Sequence, residues 1–145
     1  MLLKQMSVFL ENKPGAMTAP CRLLADAGIN IQTFALADSE KFGILRLVVK
    51  EWETAAKLLS DAGYAVRLSD VLAIEMPDRP GGLADIFKAL ETAEINVEYM
   101  YAFTVKWEGQ GLVIFRVQEP EKALPALKTA GISVVDSAEL CRRLG

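Results

Sequence analysis

Two short stretches hold the residues whose types and spacing suit chemistry. Asn12-Lys13-Pro14-Gly15 stands between an alternating apolar run and an amphipathic run that ends at Gly28; Asp78-Arg79-Pro80-Gly81 stands in the same place 66 positions on. A strand that stops, a glycine that lets the backbone approach closely, and a helix that begins directly after it leave backbone N–H groups unpaired at the positive end of a helix dipole. Such a place favours a carboxylate or a phosphate. Past each helix comes an asparagine, Asn30 or Asn96, whose side chain offers both a carbonyl and an amide. The carbonyl can take an ammonium and the amide a carboxylate oxygen, and Asn12 and Asp78 add acceptors in the loops. The set matches the two charges of a free α-amino acid. A plainer reading stands beside it: Pro-Gly before a helix is ordinary turn chemistry, and an asparagine after a helix end often bonds its own backbone.

The two stretches belong to an internal repeat. A shift of 66 lays Gln5–Ile31 on Val71–Val97 without a gap, with six identities: Pro14/Pro80, Gly15/Gly81, Leu24/Leu90, Ala27/Ala93, Ile29/Ile95 and Asn30/Asn96. A shift of 68 lays Gly43–Val66 on Gly111–Val134 with nine, among them Val49/Val117, Glu51/Glu119, Leu59/Leu127, Ala62-Gly63/Ala130-Gly131 and Val66/Val134. The two extra residues fall in one turn, so both copies share one topology.

The elements that must position the loops read as follows. Met1 to Lys4 is a short leader. Gln5–Leu10 alternates as a strand with Met6, Val8 and Leu10 on one face. A helix is expected from Ala16 to Ala27, ended by Gly28, with a distorted first turn at Pro20. Ile29–Ala37 and Gly43–Lys50 form a hairpin about Asp38–Lys41. Glu51–Ala62 is a second helix, closed by Gly63, with Trp52, Ala55, Leu59 and Ala62 on its apolar stripe. Tyr64–Leu68 is a fourth strand, and Ser69-Asp70 links it to Val71–Met76, where the second round begins. There the spacing predicts a helix with Leu83, Ile86, Phe87, Leu90 and Ala93 inward, a strand over Ile95–Phe103, a longer turn over Val105–Gln110 and a strand over Gly111–Gln118. Pro120 opens the next helix, where a missing N–H costs little, and Pro125 inside it predicts a kink. Ile132–Val135 is the last strand, and Asp136-Ser137-Ala138-Glu139 resembles a capping box before a tail helix. The order β-α-β-β-α-β, twice, is the ferredoxin-like arrangement: an antiparallel sheet with both helices on one face, an α+β fold.

Composition limits the chemistry. The chain has 145 residues, 52% of them hydrophobic and 24% charged, a globular composition, and each unit of about 70 is near the size where a lone core is marginal. There is no histidine, which removes the commonest general base and metal ligand. The two cysteines, Cys21 and Cys141, lack a CxxC spacing and read as ordinary reduced thiols. No metal or cofactor is expected, and no Gly-rich phosphate motif is present. Net charge is −3 with basic residues scattered among acids, which argues against nucleic acid. No apolar run is long enough to span a bilayer and no signal peptide is visible, so the expected location is cytoplasmic, with no membrane partner. Glu98, Tyr99, Tyr101 and Lys106 lie on or near one strand, but alternation turns Glu98 away from the tyrosines, so they form no convergent catalytic set.

Strand, then (Asn/Asp)-x-Pro-Gly, then a helix ending in Ile-Asn-(Ile/Val), then a hairpin with Gly43 or Gly111 in its third strand and a helix closed by Ala-Gly, resembles the ACT domain. The whole chain resembles a stand-alone tandem ACT protein, with units over 1–69 and 70–145, the second carrying the tail helix. The resemblance implies a non-catalytic regulatory protein that binds a small molecule, most often an amino acid, with the units packed side by side and ligands at the seam. Carried over by position, the ligand loop falls on Leu10, Asn12, Pro14, Gly15 and Ala16, and on Met76, Asp78, Pro80, Gly81 and Gly82. The asparagine after the helix falls on Asn30 and Asn96. The resemblance implies composite sites pairing the Asn12 loop with Asn96 and the Asp78 loop with Asn30. It also implies a homodimer whose ligand state changes its assembly or its docking on an enzyme of amino-acid metabolism. Leu10 and Met76 stand where serine-binding relatives can offer a histidine. Ala16 against Gly82 and Asn12 against Asp78 make the two sites unequal. The alternative is a structural or docking subunit that keeps the fold without ligand binding and uses the Trp107 turn and the second face of the third strands, Ile44, Val48 and Ile114, as interface.

Overall fold

The computed structural model describes residues 2–104 and 106–144. Met1, Val105 and Gly145 lie outside the described residues, and with them the start of the expected leader, the start of the expected long turn and the end of the tail. Two compact units divide the chain, one of them Lys4–Ser69 and the other the remainder.

In the N-terminal unit the elements are β1 (Leu3–Glu11), α1 (Thr18–Asp26), β2 (Ile31–Ser39), β3 (Phe42–Val49), α2 (Trp52–Asp61) and the first part of β4 (Ala65–Pro77). Strand β3 pairs antiparallel with both β1 and β2, so that Val8 and Leu36 both stand opposite Leu45. Alternation along the strands sends Met6, Val8, Leu10, Leu45, Leu47 and Val49 to one side. There they are buried against Leu24 of α1 and Ala55 and Leu59 of α2. Each such aliphatic side chain contributes ~1.5–3 kcal/mol by leaving water, which holds both helices on one face of the sheet.

The C-terminal unit repeats the order: the rest of β4, then α3 (Gly82–Thr92), β5 (Val97–Ala102), β6 (Gln110–Val117), α4 (Pro120–Thr129) and β7 (Val134–Val135), with an added helix α5 (Ser137–Leu144). Strand β6 pairs antiparallel with β4 and β5, and β7 pairs with β4 through Ala73–Val135 and Ile74–Val134. Leu72, Ile74, Val113, Phe115 and Val117 meet Ile86, Leu90, Ala123 and Leu127 in one core. Both units are therefore βαββαβ folds of the α+β class.

Several boundaries differ from those the sequence predicts, each for a local reason. Leu3 and Lys4, expected in a leader, extend β1, and Leu3 is buried. Ile29, Ile95 and Ile132, expected to open strands, instead close helices: their N–H groups donate to the carbonyls of Leu24, Leu90 and Leu127 at 3.0, 2.9 and 2.9 Å. The strands begin two residues later. Ser69-Asp70 is no loop; β4 runs through it, and the Asp70 carbonyl accepts a hydrogen bond from Arg116 Nη1 at 2.8 Å. Pro20 is the third residue of α1, within the first turn, where N–H groups have no intrahelical acceptor, so no bond is lost there. Asp136 caps α5, its Oδ1 accepting from the Glu139 N–H at 2.8 Å. The reciprocal half of the capping box is absent because Glu139 pairs with arginines instead.

Pro120 occupies the first turn of α4, as predicted, whereas Pro125 lies inside the helix and leaves the Glu121 carbonyl without its usual donor. Pro125→Ala is expected to stabilise the protein by ~1–3 kcal/mol, read as a higher urea midpoint at unchanged slope. An unchanged or lower midpoint would mean that the proline ring contributes packing the helix needs.

Two candidate ligand loops

Strand β1 ends with buried Leu10 and exposed Glu11, and the chain then turns through exposed residues 12–15 and half-buried Ala16 and Met17 to α1. Asn12 is tied to the hairpin between β2 and β3. Its N–H donates to the Lys41 carbonyl at 2.9 Å and its Nδ2 to the Glu40 carbonyl at 3.5 Å, so its side-chain oxygen is the group left for a ligand. Lys13 and Glu11 form an exposed ion pair at 2.9 Å, which lowers the glutamate pKa and raises that of the lysine. Pro14 is exposed, and Gly15 takes φ +86°, a left-handed conformation that any other L-residue resists. Ala16 follows in a turn closed by its N–H on the Lys13 carbonyl at 3.2 Å.

In the second loop Met76 is half-buried and Gly81 takes φ +89°. Asp78 is held twice by the β5–β6 hairpin: its carboxylate pairs with the Lys106 ammonium, and its N–H donates to the Gly109 carbonyl at 3.3 Å. Arg79 pairs with Asp85 in the first turn of α3 at 2.9 Å and donates to the Pro80 carbonyl at 3.1 Å. Gly82 is buried, and an added Cβ there would fall 2.2 Å from the Pro77 carbonyl oxygen. This explains why the helices start differently. Gly82 lets α3 begin directly after Gly81, whereas Ala16, carrying a Cβ, cannot approach its strand so closely, and α1 begins only at Thr18.

Asn30 and Asn96 are exposed at the far ends of α1 and α3. With nine and eleven residues these helices span ~14 and ~16 Å, so within one unit a loop and its asparagine cannot touch the same small ligand. Asn96 lines a hollow of about 500 Å³ with Phe87, Leu90, Glu91, Glu94, Ile95 and Val97. A second hollow, of about 490 Å³, opens beside the first loop along Met17, Thr18, Cys21, Arg22 and Ala25. The third-strand glycines leave space that methionines fill: a Cβ on Gly43 would lie 2.9 Å from Met17 Cε, and one on Gly111 3.3 Å from Met76 Cε. A larger hollow, of about 610 Å³, lies between α3 and α4, floored by Ala89, Ala93, Ala126 and Ala130. In the first copy Leu23 and Leu58 occupy the matching places of Ala89 and Ala126 and pack on the core. The space is a consequence of side-chain size.

Elsewhere Glu98 pairs with Arg116 at 3.3 Å and Lys106 with Asp78, so neither joins Tyr99 or Tyr101 in a reactive set. The expected interface residues Val48 and Ile114 are buried, not exposed. Val48 stands opposite Thr33, also buried. Ile114 lies on the face that carries Glu75, which Arg143 of α5 covers. Trp107 is half-buried, with the Arg143 guanidinium 5.9 Å from its ring centre. Arg143 also bonds Glu139 Oε1 at 2.7 Å and Glu75, and Leu140 beside it is buried. Sequence reasoning missed Lys106 as a loop partner and Arg143 as the anchor of α5. The one available signal was that Lys106 sits in the hairpin that gained two residues. Among the described residues no helix is long and apolar enough to cross a membrane.

The family model described as an ACT domain pair matches residues 1–144. The crystal structure of protein BT0572 from Bacteroides thetaiotaomicron is similar at a TM-score of 0.90, with 34% identity over 97% of this chain and 96% of that one. The regulatory subunit of aspartate kinase from Thermus thermophilus, in a ligand-free form, matches at 0.63 with 19% identity over 88% and 91% of the two chains. The corresponding subunit from Thermus flavus matches at 0.59 with 20% identity over 90% and 94%. At those identities the last two establish likeness of fold. No curated protein sequence matches the chain.

Two outcomes test this geometry. Gly82→Ala should lower stability by ~1–3 kcal/mol, because the new methyl meets backbone that cannot yield, while Ala16→Gly should cost less than ~1 kcal/mol; denaturant unfolding of both variants decides. Glu139 is held from 4.5 down to about 2 by hydrogen bonds from Arg142 and then Arg143. A carboxylate depressed on folding contributes its stabilisation above its unfolded pKa and loses it as pH falls through the folded one. Amide protection of α5 should therefore decline between pH 4.5 and about 2, and Glu139→Gln should flatten that decline.

Proposed function

The chain belongs to the ACT domain pair family, and we propose that it is a non-catalytic regulatory protein that binds a free amino acid at its Pro-Gly loops. The observation that carries this reading is the left-handed glycine, Gly15 or Gly81, that ends each loop and turns the N-terminus of a helix outward. The residues proposed to hold the ligand are Leu10, Asn12, Pro14, Gly15 and Ala16 in one loop and Met76, Asp78, Pro80, Gly81 and Gly82 in the other. First-turn N–H groups and the positive helix end suit the α-carboxylate. The side-chain oxygens of Asn12 and Asp78 suit the ammonium. Asn30 and Asn96 are proposed as ligand residues as well. Family membership and the likeness to aspartate kinase regulatory subunits support a regulatory role. By analogy the chain acts on an enzyme of amino-acid metabolism, as a homodimer, by favouring one arrangement through differential affinity.

A second reading, a docking subunit without a ligand, is favoured by the exposed apolar side chains of the N-terminal unit: Phe34 is 60% and Phe42 59% exposed. Thermal unfolding against each of the twenty L-amino acids separates the readings. A ligand at 100 times its dissociation constant adds about 2.7 kcal/mol when it binds only the folded state. One chemically related group of amino acids is expected to raise the melting temperature, and Asn30→Ala or Asn96→Ala to abolish the effect. Melting unchanged by all twenty at millimolar concentration would leave docking as the function. Combining each asparagine variant with Asn12→Ala or Asp78→Ala tells which loop is paired with which asparagine.

A further inference from the structure

The second loop is wired to the C-terminal helix, and among the described residues the first loop has no equivalent wiring. Lys106 and Trp107 are neighbours on the β5–β6 hairpin, and adjacent residues of extended chain point to opposite faces. Lys106 reaches the Asp78 carboxylate in the loop. Trp107 lies under the Arg143 guanidinium of α5, and Arg143 in turn holds Glu75 on β4 and Glu139 on its own helix. Two adjacent residues thus touch the candidate ligand loop on one side and the anchor of α5 on the other. In the first copy the matching hairpin turn is two residues shorter, Asn12 bonds backbone carbonyls, and the chain passes through Ser69 into β4 with no helix added.

We propose that α5 reports the occupancy of the second loop. A ligand ammonium that takes the Asp78 carboxylate displaces the Lys106 ammonium, one cation for another, so the net charge of the pair with Asp78 is kept. The Lys106–Asp78 pair is exposed on both sides, with side chains 63% and 51% accessible, and exposed pairs are weak, so a ligand of modest affinity is enough to open it. Beyond the β4–β6 pairing, which ends at Pro77–Gln110, the hairpin tip then keeps the Asp78 N–H bond to the Gly109 carbonyl, and the Trp107–Arg143 contact loosens as the tip shifts. The element that both ends bias is the hairpin, docked or released, and α5 is the surface that changes for a partner. This inference rests on the amino-acid reading of the loop, but its wiring is testable without any ligand.

The experiment uses the full chain with Trp52→Phe, leaving Trp107 as the sole tryptophan, and follows its emission together with hydrogen exchange over residues 137–144. Exchange is also followed in the chain that keeps Trp52, so the result does not hang on that substitution. Lys106→Met is expected to shift the Trp107 emission to the red and to reduce α5 protection. Asn12→Ala, in the unwired loop, is expected to leave both unchanged. Lys106→Met with emission and exchange identical to the parent overturns the proposal. An amino acid that binds by calorimetry to the Asn12→Ala chain, in which the second loop alone is intact, yet leaves Trp107 and α5 unmoved also overturns it, while the binding reading survives. Absence of binding by any amino acid overturns the binding reading and the reporting role with it, a failure that calorimetry identifies separately from the wiring.

Discussion

A chain that passes from a strand into a helix within about six residues must reverse direction, and here one residue in each unit does so with φ close to +87°: Gly15 at +86° and Gly81 at +89°. Side chains with a Cβ resist that conformation by ~1–2 kcal/mol, so glycine holds the turn, and the residue after it, Ala16 or Gly82, sets whether the helix begins at Thr18 or at once. Once the helix start is fixed, so is its stripe. Leu24 in one unit, and Ile86 and Leu90 in the other, then fall over the strand residues that alternate inward, and the core closes. The same turn places the start of the helix, and with it the positive end of the helix dipole, at the loop. Fold and candidate site thus depend on one backbone constraint, which is why the Pro-Gly pair alone cannot separate a structural role from a ligand role.

Helix ends in this fold are set by hydrogen bonding more than by composition. Gly28 takes the left-handed position after α1, at φ +74°, but the matching place after α3 is Glu94, at φ +57°. The isoleucine that follows donates back to the helix in both copies, and the geometry survives the loss of glycine because that bond and the burial of Ile29 or Ile95 over-determine it. Tertiary context overrides the local preference of one residue. The same logic keeps Pro125 inside α4, where Ala123 and Leu127 on either side of it are fully buried.

Much of the fold was legible because period-two and helical patterns are direct images of burial: Met6, Val8 and Leu10 alternate, and Ala55 and Leu59 recur one turn apart. Element ends were less legible. A strand-like Ile-Asn-Ile and a helix-closing Ile have the same sequence, and only the donor-acceptor choice of the isoleucine N–H distinguishes them. The second face of each sheet was not legible. Gln5, Ser7 and Thr33 are buried though polar, and Phe34 and Phe42 are exposed though aromatic, so residue type and burial part company there. Of the candidate loops, the residues themselves were readable from the repeat. Their partners were not, since Lys106 is 28 residues from Asp78 and Arg143 is 68 from Glu75.

The duplication makes each unit a control for the other, and differences carry more information than identities. Pro-Gly and Ile-Asn recur in both copies, as any feature of a duplicated fold would, needed or not. Ala16 against Gly82 alters how closely helix and strand approach, and with it the start of the helix. Leu23 and Leu58 against Ala89 and Ala126 fill or empty the space between the helices without disturbing the core beneath. Asn12 against Asp78 replaces a side-chain hydrogen bond to a hairpin carbonyl by an ion pair to a hairpin that also touches an added helix. These changes leave the sheet pairing and the core pattern alike in the two units, so the core did not demand them. Residues free of that demand, gathered around one of two equivalent loops, are where a duplicated binding fold can acquire a second task.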